Sequence, residues 1–344
     1  MRINIIKLIG TTLFNLFYTV IITNTIHIKI CISRHYIIME KRLPNKEFRK
    51  LIPKLRKKGF YNPQDKRKIN WNKYNFALVH EARLIIQIKE LVNSCAQIQT
   101  AKIGRPLTNP KDLTKAILLA ELLCLPERQA QGYSELFQNA LGIFSHLDDR
   151  VIGNAYGRLE VLFLLKQVFD KTKTSDGKLA GDGTGLETSR KQNYELNKKK
   201  TENYLVSIVD SREIVQAFDV NNKECSTMHS LIYEVKGNSL CLDAGFVDRE
   251  LIRKISELGI KPLIFPKKNL NLNGSIFWKN MFLELYYETQ KWLKEYHQRS
   301  HAESFHSSFK RKNKPLMKIG SLSKLVQLTA RIVIHNLRKR LYYD

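Results

Sequence analysis

The stretch Trp292–Lys312, WLKEYHQRSHAESFHSSFKRK, contains neither Gly nor Pro and reads as one continuous helix with few apolar residues. Tyr296, Arg299, Glu303, His306 and Lys310 follow one another at intervals of 3, 4, 3 and 4 residues. At about 100° per residue these intervals put all five side chains on one stripe of the helix. A single acid thereby lies between an arginine one turn before it and a lysine two turns after it. Spacing alone leaves two readings open. One is a solvated helix laced by i,i+4 ion pairs; the other is a helix that brings Glu303 and its basic neighbours to a functional site.

Around this stretch the chain is long and basic. Its 344 residues have room for two domains, and 43% hydrophobic content allows a sizeable core. Lys and Arg outnumber Asp and Glu by 58 to 32, a formal charge of +26. Such a charge makes a polyanion the natural partner, nucleic acid or an anionic membrane surface, and does not choose between them. Five scattered cysteines with no CxxC spacing argue for a reduced, cytoplasmic protein without a disulfide framework or a zinc site.

The first 38 residues differ from the rest. Leu8–Ile28 is free of charge and about long enough to span a bilayer, but Thr and Asn would make it a weak span. No small-residue cleavage site follows, and Met39 opens a basic start, EKRLPNKEFRK. This apolar leader is therefore expected to lie outside the functional protein, with a membrane anchor as the alternative. Lys41–Lys73 forms a basic arm with Leu51, Ile52, Leu55 and Phe60 as a partial apolar face. It suits phosphate contacts, or else is a tail with no specific partner.

The middle of the chain is helical in pattern. Glu81–Ile98 is one helix; Asn109 caps the next, with Pro110 in its first position and an apolar stripe from Leu113 to Leu123. Pro126 interrupts, and a second helix is expected from Glu127 to Leu141. This pair is either a helix-turn-helix or a plain helical hairpin supplying core contacts. Gly104-Arg105-Pro106 has the look of a minor-groove hook, and Asp148–Lys173 continues the helical region.

From Thr174 the character changes to strands. KLAGDGTGLE places Asp182 between Gly181 and Gly183, small neighbours that would let a metal and a phosphate approach the backbone. YLVSIVDS and EIVQAFDVNN form a hairpin around a Ser-Arg turn. Between the first two strands runs a basic loop, 189–203, suited to lie against DNA. Leu240, Cys241 and Leu242 make a short buried strand ending at Asp243, and open α/β sheets place their sites at such carboxyl ends. Asp248 opens an amphipathic helix closed by Gly259. KPLIFP is a further strand, and Ser321–Tyr343 a last amphipathic helix. The rival acids have local roles: Asp210 and Asp219 are hairpin residues and Asp248 is a cap, while Glu284 and Glu295 fall off the stripe.

Tyr296, Arg299, Glu303 and Lys310, separated by two, three and six residues, resemble the Tyr-Arg-Glu-Lys motif of insertion-sequence DDE transposases. Asp243-Ala244-Gly245-Phe246 resembles the second-aspartate motif of that group. The resemblance spans residues 174–341 closely and 75–170 loosely; the interval between Asp243 and Glu303 is short for the group's larger β-strand insertion. It implies an α/β catalytic core, a ribonuclease H-like mixed sheet flanked by helices, after an all-α DNA-binding region. The expected division is a leader at 1–38, an end-binding helical region at 39–173 and the catalytic domain at 174–344. Asp182, Asp243 and Glu303 become the catalytic carboxylates and metal ligands, and Tyr296, Arg299 and Lys310 contacts to the transposon end. Hard oxygen ligands suit Mg²⁺, two ions in this chemistry, with Mn²⁺ able to substitute. The implied function is Mg²⁺-dependent strand cleavage and strand transfer at terminal inverted repeats of double-stranded DNA, by a homodimer. Two alternatives stand beside it: a transposase-derived protein that binds DNA and cleaves nothing, and a metal-dependent nuclease on the same core. His306 shares the stripe and is read as a partly buried helix histidine.

Overall fold

The computed structural model describes residues 43–57, 59–61, 69–98, 108–187 and 203–344. The apolar leader, Gly104-Arg105-Pro106, the basic loop up to residue 202 and part of the basic arm lie outside the described residues. The chain divides into two compact units: the described part of Met1–Tyr61 with Pro266–Leu293, and Asn62–Phe265 with Lys294–Asp344.

In the smaller unit the helix Asn45–Leu55 buries Phe48, Ile52 and Leu55. Phe48 meets Phe282 edge-on at 5.6 Å, on the helix Ile276–Tyr287, and Trp278 meets Phe282 at 5.0 Å. Polar clips fix the intervening loop. Arg49 Nε donates to the Leu270 carbonyl (3.0 Å), Trp278 Nε1 to that of Asn271 (2.9 Å), and the Leu272 amide to Asn45 Oδ1 (2.7 Å). The start of the basic arm is thus folded against a helix that follows the last strand, because its apolar face supplies the aromatic contacts that such a short helix needs to hold.

The larger unit begins with helices α1 (Trp71–Val79), α2 (Arg83–Asn93), α3 (Pro110–Leu122), α4 (Glu127–Leu136), α5 (Gln138–Leu141), α6 (Asp149–Ala155) and α7 (Leu159–Thr172). Asn109 caps α3 as expected, its Oδ1 accepting from the Lys111 amide at 2.9 Å. The single helix expected over 127–141 is broken after Leu136, and α5 closes at Gly142 in the left-handed region, φ 60°. The segment 148–173 likewise splits between α6 and α7.

Every residue of α3 from Asp112 to Leu122 is buried. That settles its role as a core helix, since a helix enclosed on all sides offers no face to a DNA groove. Its polar residues have partners. Asp112 Oδ2 accepts from the amides of Phe144 and Ser145, and Lys115 Nζ donates to the Gly142 carbonyl (2.7 Å). Glu121 accepts from the Tyr156 hydroxyl (2.8 Å), Gln327 Nε2 (2.9 Å) and Arg331 Nε (2.7 Å).

Strands β1 (Lys178–Leu186), β2 (Asn203–Val209) and β3 (Val215–Asn221) follow, then α8 (Glu224–Leu231), β4 (Ser239–Leu242), α9 (Arg249–Glu257) and β5 (Lys261–Ile264). The sheet order is β3-β2-β1-β4-β5, with β1–β2 and β2–β3 antiparallel and β1–β4 and β4–β5 parallel. Helices α10 (Ser300–Lys312) and α11 (Ser321–Tyr343) complete the unit, the latter buried from Val326 to Leu337. Asn336 ties α11 to β3 and α7: Oδ1 accepts from the Val215 amide (2.8 Å) and Nδ2 donates to the Val215 carbonyl (3.0 Å) and to Thr172 Oγ1 (3.1 Å). One apolar cluster joins residues of α2–α7, the sheet, α10 and α11, so a single core runs through the 173/174 boundary. Among the described residues no helix is long and apolar enough to cross a membrane.

Two measurements test this core. Glu121→Gln leaves the buried Arg331 guanidinium without its counter-charge and is expected to cost about 3–5 kcal/mol in urea unfolding. His335 donates from Nε2 to the Glu213 carbonyl (2.9 Å), and burial, with the charge of Lys339 next, pushes its pKa down from 6.5 to about 3. A histidine held neutral in the fold contributes stability that is whole above pH 6.5 and is lost as pH falls toward 3. The slope contributed by one such group is at most about 1.4 kcal/mol per pH unit. Unfolding free energies at pH 7 and pH 4.5 should therefore fall less in His335→Gln than in the wild type.

Candidate active site

The expected single helix over 292–312 is interrupted. A helix ends at Tyr296, a 3₁₀ turn occupies His297–Arg299, and α10 starts at Ser300. Ser300 donates its hydroxyl to the His297 carbonyl at 2.8 Å, giving that carbonyl a side-chain partner at the break. The tighter turn divides the stripe. Tyr296 packs its ring 5.6 Å from Phe265, and burial pushes its hydroxyl pKa well above the usual range, against the lowering effect of Arg299. Arg299, at the junction, stays on the line of Glu303: Nη2 lies 2.5 Å from Glu303 Oε1. Lys310 is exposed in the last turn of α10, beside Arg311 and Lys312.

The two aspartates come together through strand register. Gly181 pairs with Leu242 as the last step of the parallel β1–β4 ladder, so Asp182, within β1, and Asp243, just past the end of β4, stand at the same level. Adjacent strands lie about 4.8 Å apart. Arg299 Nη1 is 4.0 Å from Asp243 Oδ1, so one guanidinium reaches both Asp243 and Glu303. Burial works to lower the Arg299 pKa and is outweighed by Tyr296, Glu303, Asp243 and Asp182, which leave it raised. Asp182 Oδ1 accepts from the Gly183 amide at 2.9 Å. Its side chain is 22% exposed, against 50% for Asp243 and 52% for Glu303, so the cluster opens to solvent on the side of the last two.

His306 sits deeper. It is buried, with Nε2 2.9 Å from Ser207 Oγ and Nδ1 3.7 Å from Asp182 Oδ2. With the ring proton on Nδ1, toward Asp182, Nε2 accepts from the Ser207 hydroxyl. The histidine is buried as expected, but it is also the neighbour of the first carboxylate, a relation only the pairing of Asp182 with Ser207 across β1 and β2 creates. Its position on the Glu303 stripe is the sequence signal that points there.

The glycines beside Asp182 serve a different purpose from the one expected. A Cβ on Gly181 would meet Leu242 Cδ2 at 2.6 Å and Met228 Cε at 2.9 Å, and one on Gly183 would meet Glu224 Oε1 at 2.4 Å. Both positions are filled by protein. Glu224, the first residue of α8, belongs to no motif and carries no signal in the sequence. Its carboxyl pKa is raised, by burial first and then by Asp182, while His306 acts against the shift. The rival acids are accounted for: Asp210 accepts from Arg212 and the Ile214 amide, and Asp248 caps α9 through the Leu251 amide (2.8 Å). Glu295 pairs with Lys261 at 2.7 Å.

Among the described residues no three His, Cys, Asp or Glu side chains converge as a metal-binding group. The donor chemistry nevertheless fits a hard divalent cation. Asp182 and Asp243 stand level on neighbouring strands and Arg299 joins Asp243 to Glu303; all three offer hard carboxylate oxygens, and Mg²⁺ takes one or two protein carboxylates and keeps several waters.

Residues 173–336 match the family model of the transposase DDE domain. The matched segment contains every residue of this cluster. The match supports an insertion-sequence-type DDE transposase, an enzyme of the polynucleotidyl-transferase type with DNA as its substrate, and domains of this kind use divalent metals. No curated protein and no solved structure matches the chain.

Gly181→Ala tests the side-chain packing of Leu242 and Met228 over β1. The added methyl is expected to destabilise the fold by about 1–3 kcal/mol through overpacking against Leu242 and Met228. A lower urea midpoint at unchanged m-value is the signature.

Proposed function

We propose that the chain is the transposase of an insertion sequence, binding terminal inverted repeats and carrying out Mg²⁺-dependent strand cleavage and strand transfer. The observation that carries this reading is the level placement of Asp182 and Asp243 on neighbouring parallel strands, with Glu303 joined to Asp243 through Arg299. The order of three antiparallel strands followed by two parallel ones supports a ribonuclease H-like core. Residues 174–344 supply the chemistry and the basic helical region before them binds transposon ends. The charge of +26 supports DNA as the partner and a DNA-associated, cytoplasmic protein.

Asp182, Asp243 and Glu303 would hold the divalent ions, two in number, which when bound would supply Lewis-acid chemistry for the attacking oxygen, of water in cleavage and of a DNA 3′-hydroxyl in transfer, and for the leaving oxygen. Arg299 and Lys310 neutralise non-bridging phosphate oxygens and keep the strand in line. For Arg299 this means exchanging a carboxylate partner for a phosphate. Tyr296, packed on Phe265, fixes the start of the turn that carries Arg299 and contacts the transposon end at the rim. His306 holds Asp182 on the side away from solvent. A homodimer joins the two ends.

The test uses the full chain as wild type, Asp182→Asn and Glu303→Gln, with Mg²⁺ or Mn²⁺ and labelled duplexes carrying the sequences that border the gene. Cutting at the repeat ends and joining to a second duplex are expected in the wild type and absent from both variants, with DNA binding retained. Binding without cutting in the wild type would overturn the catalytic reading. Cutting without joining would replace it by a nuclease. Affinity should fall linearly with the logarithm of salt, with a slope near −0.9 per phosphate contacted.

A further inference from the structure

Helix α1 (Trp71–Val79) buries none of its residues, although Trp71, Tyr74, Phe76, Leu78 and Val79 are all large, apolar and exposed. Polar contacts seat it on the end of α11. The Asn70 amide donates to the Tyr342 hydroxyl (3.3 Å), and Lys73 Nζ donates to the Tyr343 carbonyl (3.1 Å). Asn70 Oδ1 caps the helix at the Lys73 amide (3.1 Å). The aromatic rings stand clear of the core. Trp71, 62% exposed, meets Tyr74, 42% exposed, edge-on at 5.8 Å and 84°, a geometry that leaves ring faces uncovered. Further along, Phe76 and His80 are stacked at 4.1 Å and 24°, and the guanidinium carbon of Arg83 lies 5.5 Å from the Phe76 ring centroid. A helix this short is marginal by itself, and a run of exposed apolar side chains marks a contact surface.

Charge selects the partner. From Lys66 to His80 the sequence holds Lys66, Arg67, Lys68 and Lys73 and no acid. Among the described residues neither Lys73 nor Arg83 is in an ion pair. The neighbouring acids are taken up, Glu81 by Arg338 and Asp344 by Arg340. A twofold contact between two copies would set these cations against the same surface again, which disfavours a second copy and favours a polyanion. Duplex phosphates would engage the cations and leave the rings idle. Unpaired nucleotides engage both, since every nucleobase offers a π-face to an aromatic side chain. We propose that α1 is a stacking platform for unpaired nucleobases of a DNA strand, with Trp71 and Tyr74 taking the nucleobases and Lys73 and Arg83 the phosphates. The inference rests on DNA as the partner and goes beyond that reading by setting an unpaired strand apart from duplex ends.

Trp71 is its own reporter, because the other two tryptophans, Trp278 and Trp292, are buried. The full chain is titrated at fixed salt with a short thymine oligonucleotide, an abasic strand of equal length and a blunt duplex, following tryptophan fluorescence and, with labelled strands, anisotropy. The thymine strand is expected to quench the fluorescence and to bind more tightly than the abasic one. Trp71→Ala and Tyr74→Ala should each weaken the thymine strand about five- to a hundredfold, leave the abasic strand and the duplex unchanged, and melt as the wild type does. Trp71→Phe should restore most of the affinity. Equal affinity for thymine and abasic strands, or wild-type binding in Trp71→Ala, would overturn the platform and leave phosphate attraction alone. Self-association in sedimentation that is lost in Trp71→Ala, without nucleobase-dependent binding, would give the surface to a second copy and overturn it equally. Asp182→Asn should bind the thymine strand like the wild type. A wild type that shows nucleobase-dependent quenching but cuts no duplex keeps the platform and loses the transposase reading, so the two failures are told apart.

Discussion

β1 has an antiparallel neighbour on one side and a parallel neighbour on the other, and most of the architecture follows from that constraint. An antiparallel partner can be reached by a short turn, as β3 is from β2, whereas a parallel one requires the chain to return across a face of the sheet. The return from β3 to β4 carries α8, and that from β4 to β5 carries α9. Parallel register then does what no side-chain contact needs to do: it sets Asp182 and Asp243 at one level on adjacent strands. The third acid arrives from the helix covering the face that Asp182 points to, anchored beneath by Ala302, Phe305 and Phe309.

Placing like charges together is unfavourable, and the cluster contains its own partial offset. Arg299 spans Asp243 and Glu303, and His306 stands beside Asp182. Glu303 is half exposed, and ion pairs in such settings are worth about 0–1 kcal/mol. The Arg299–Glu303 contact is thus better understood as positioning than as stability. A guanidinium that prefers planar anions also interacts favourably with phosphate, so the same residue can hold the carboxylates in the free protein and meet a DNA strand on binding. Stability comes from elsewhere, above all from the continuous core of α3, α7 and α11 and its buried Glu121–Arg331 pair.

Much of the fold is legible in the sequence because it is set locally. Asn109-Pro110 and Asp248 are helix caps in the structure as in the pattern, and the β-branched and aromatic runs are strands. Local signals do less well where the determinants are tertiary. No Gly or Pro marks the 3₁₀ turn at His297–Arg299, so periodicity runs straight through it. The helix expected over 127–141 breaks after Leu136 for the same reason, without a breaker residue at the join. The full burial of α3 depends on what packs around it, whereas its own pattern reads as one apolar stripe. Asp182, Asp243 and Glu303 stand out through motif resemblance; in the structure the first two are level on adjacent strands and Arg299 joins the last two. Glu224 has no motif; only the topology brings its side chain against Gly183, the residue after Asp182.

The glycines of β1 show how a period-two element can mislead. Flanking an acid with small residues suggests open room beside that acid. In a strand, however, residues i−1 and i+1 point away from the face that residue i occupies. Gly181 and Gly183 therefore cannot widen the space in front of Asp182; they can only shape the face behind it. That face is where α8 lies close, Met228 and Leu242 against one glycine and Glu224 against the other. The physical content of the Gly-Asp-Gly pattern is accordingly the room it leaves for side chains of α8 and β4 behind the strand, rather than an opening for a phosphate in front of it.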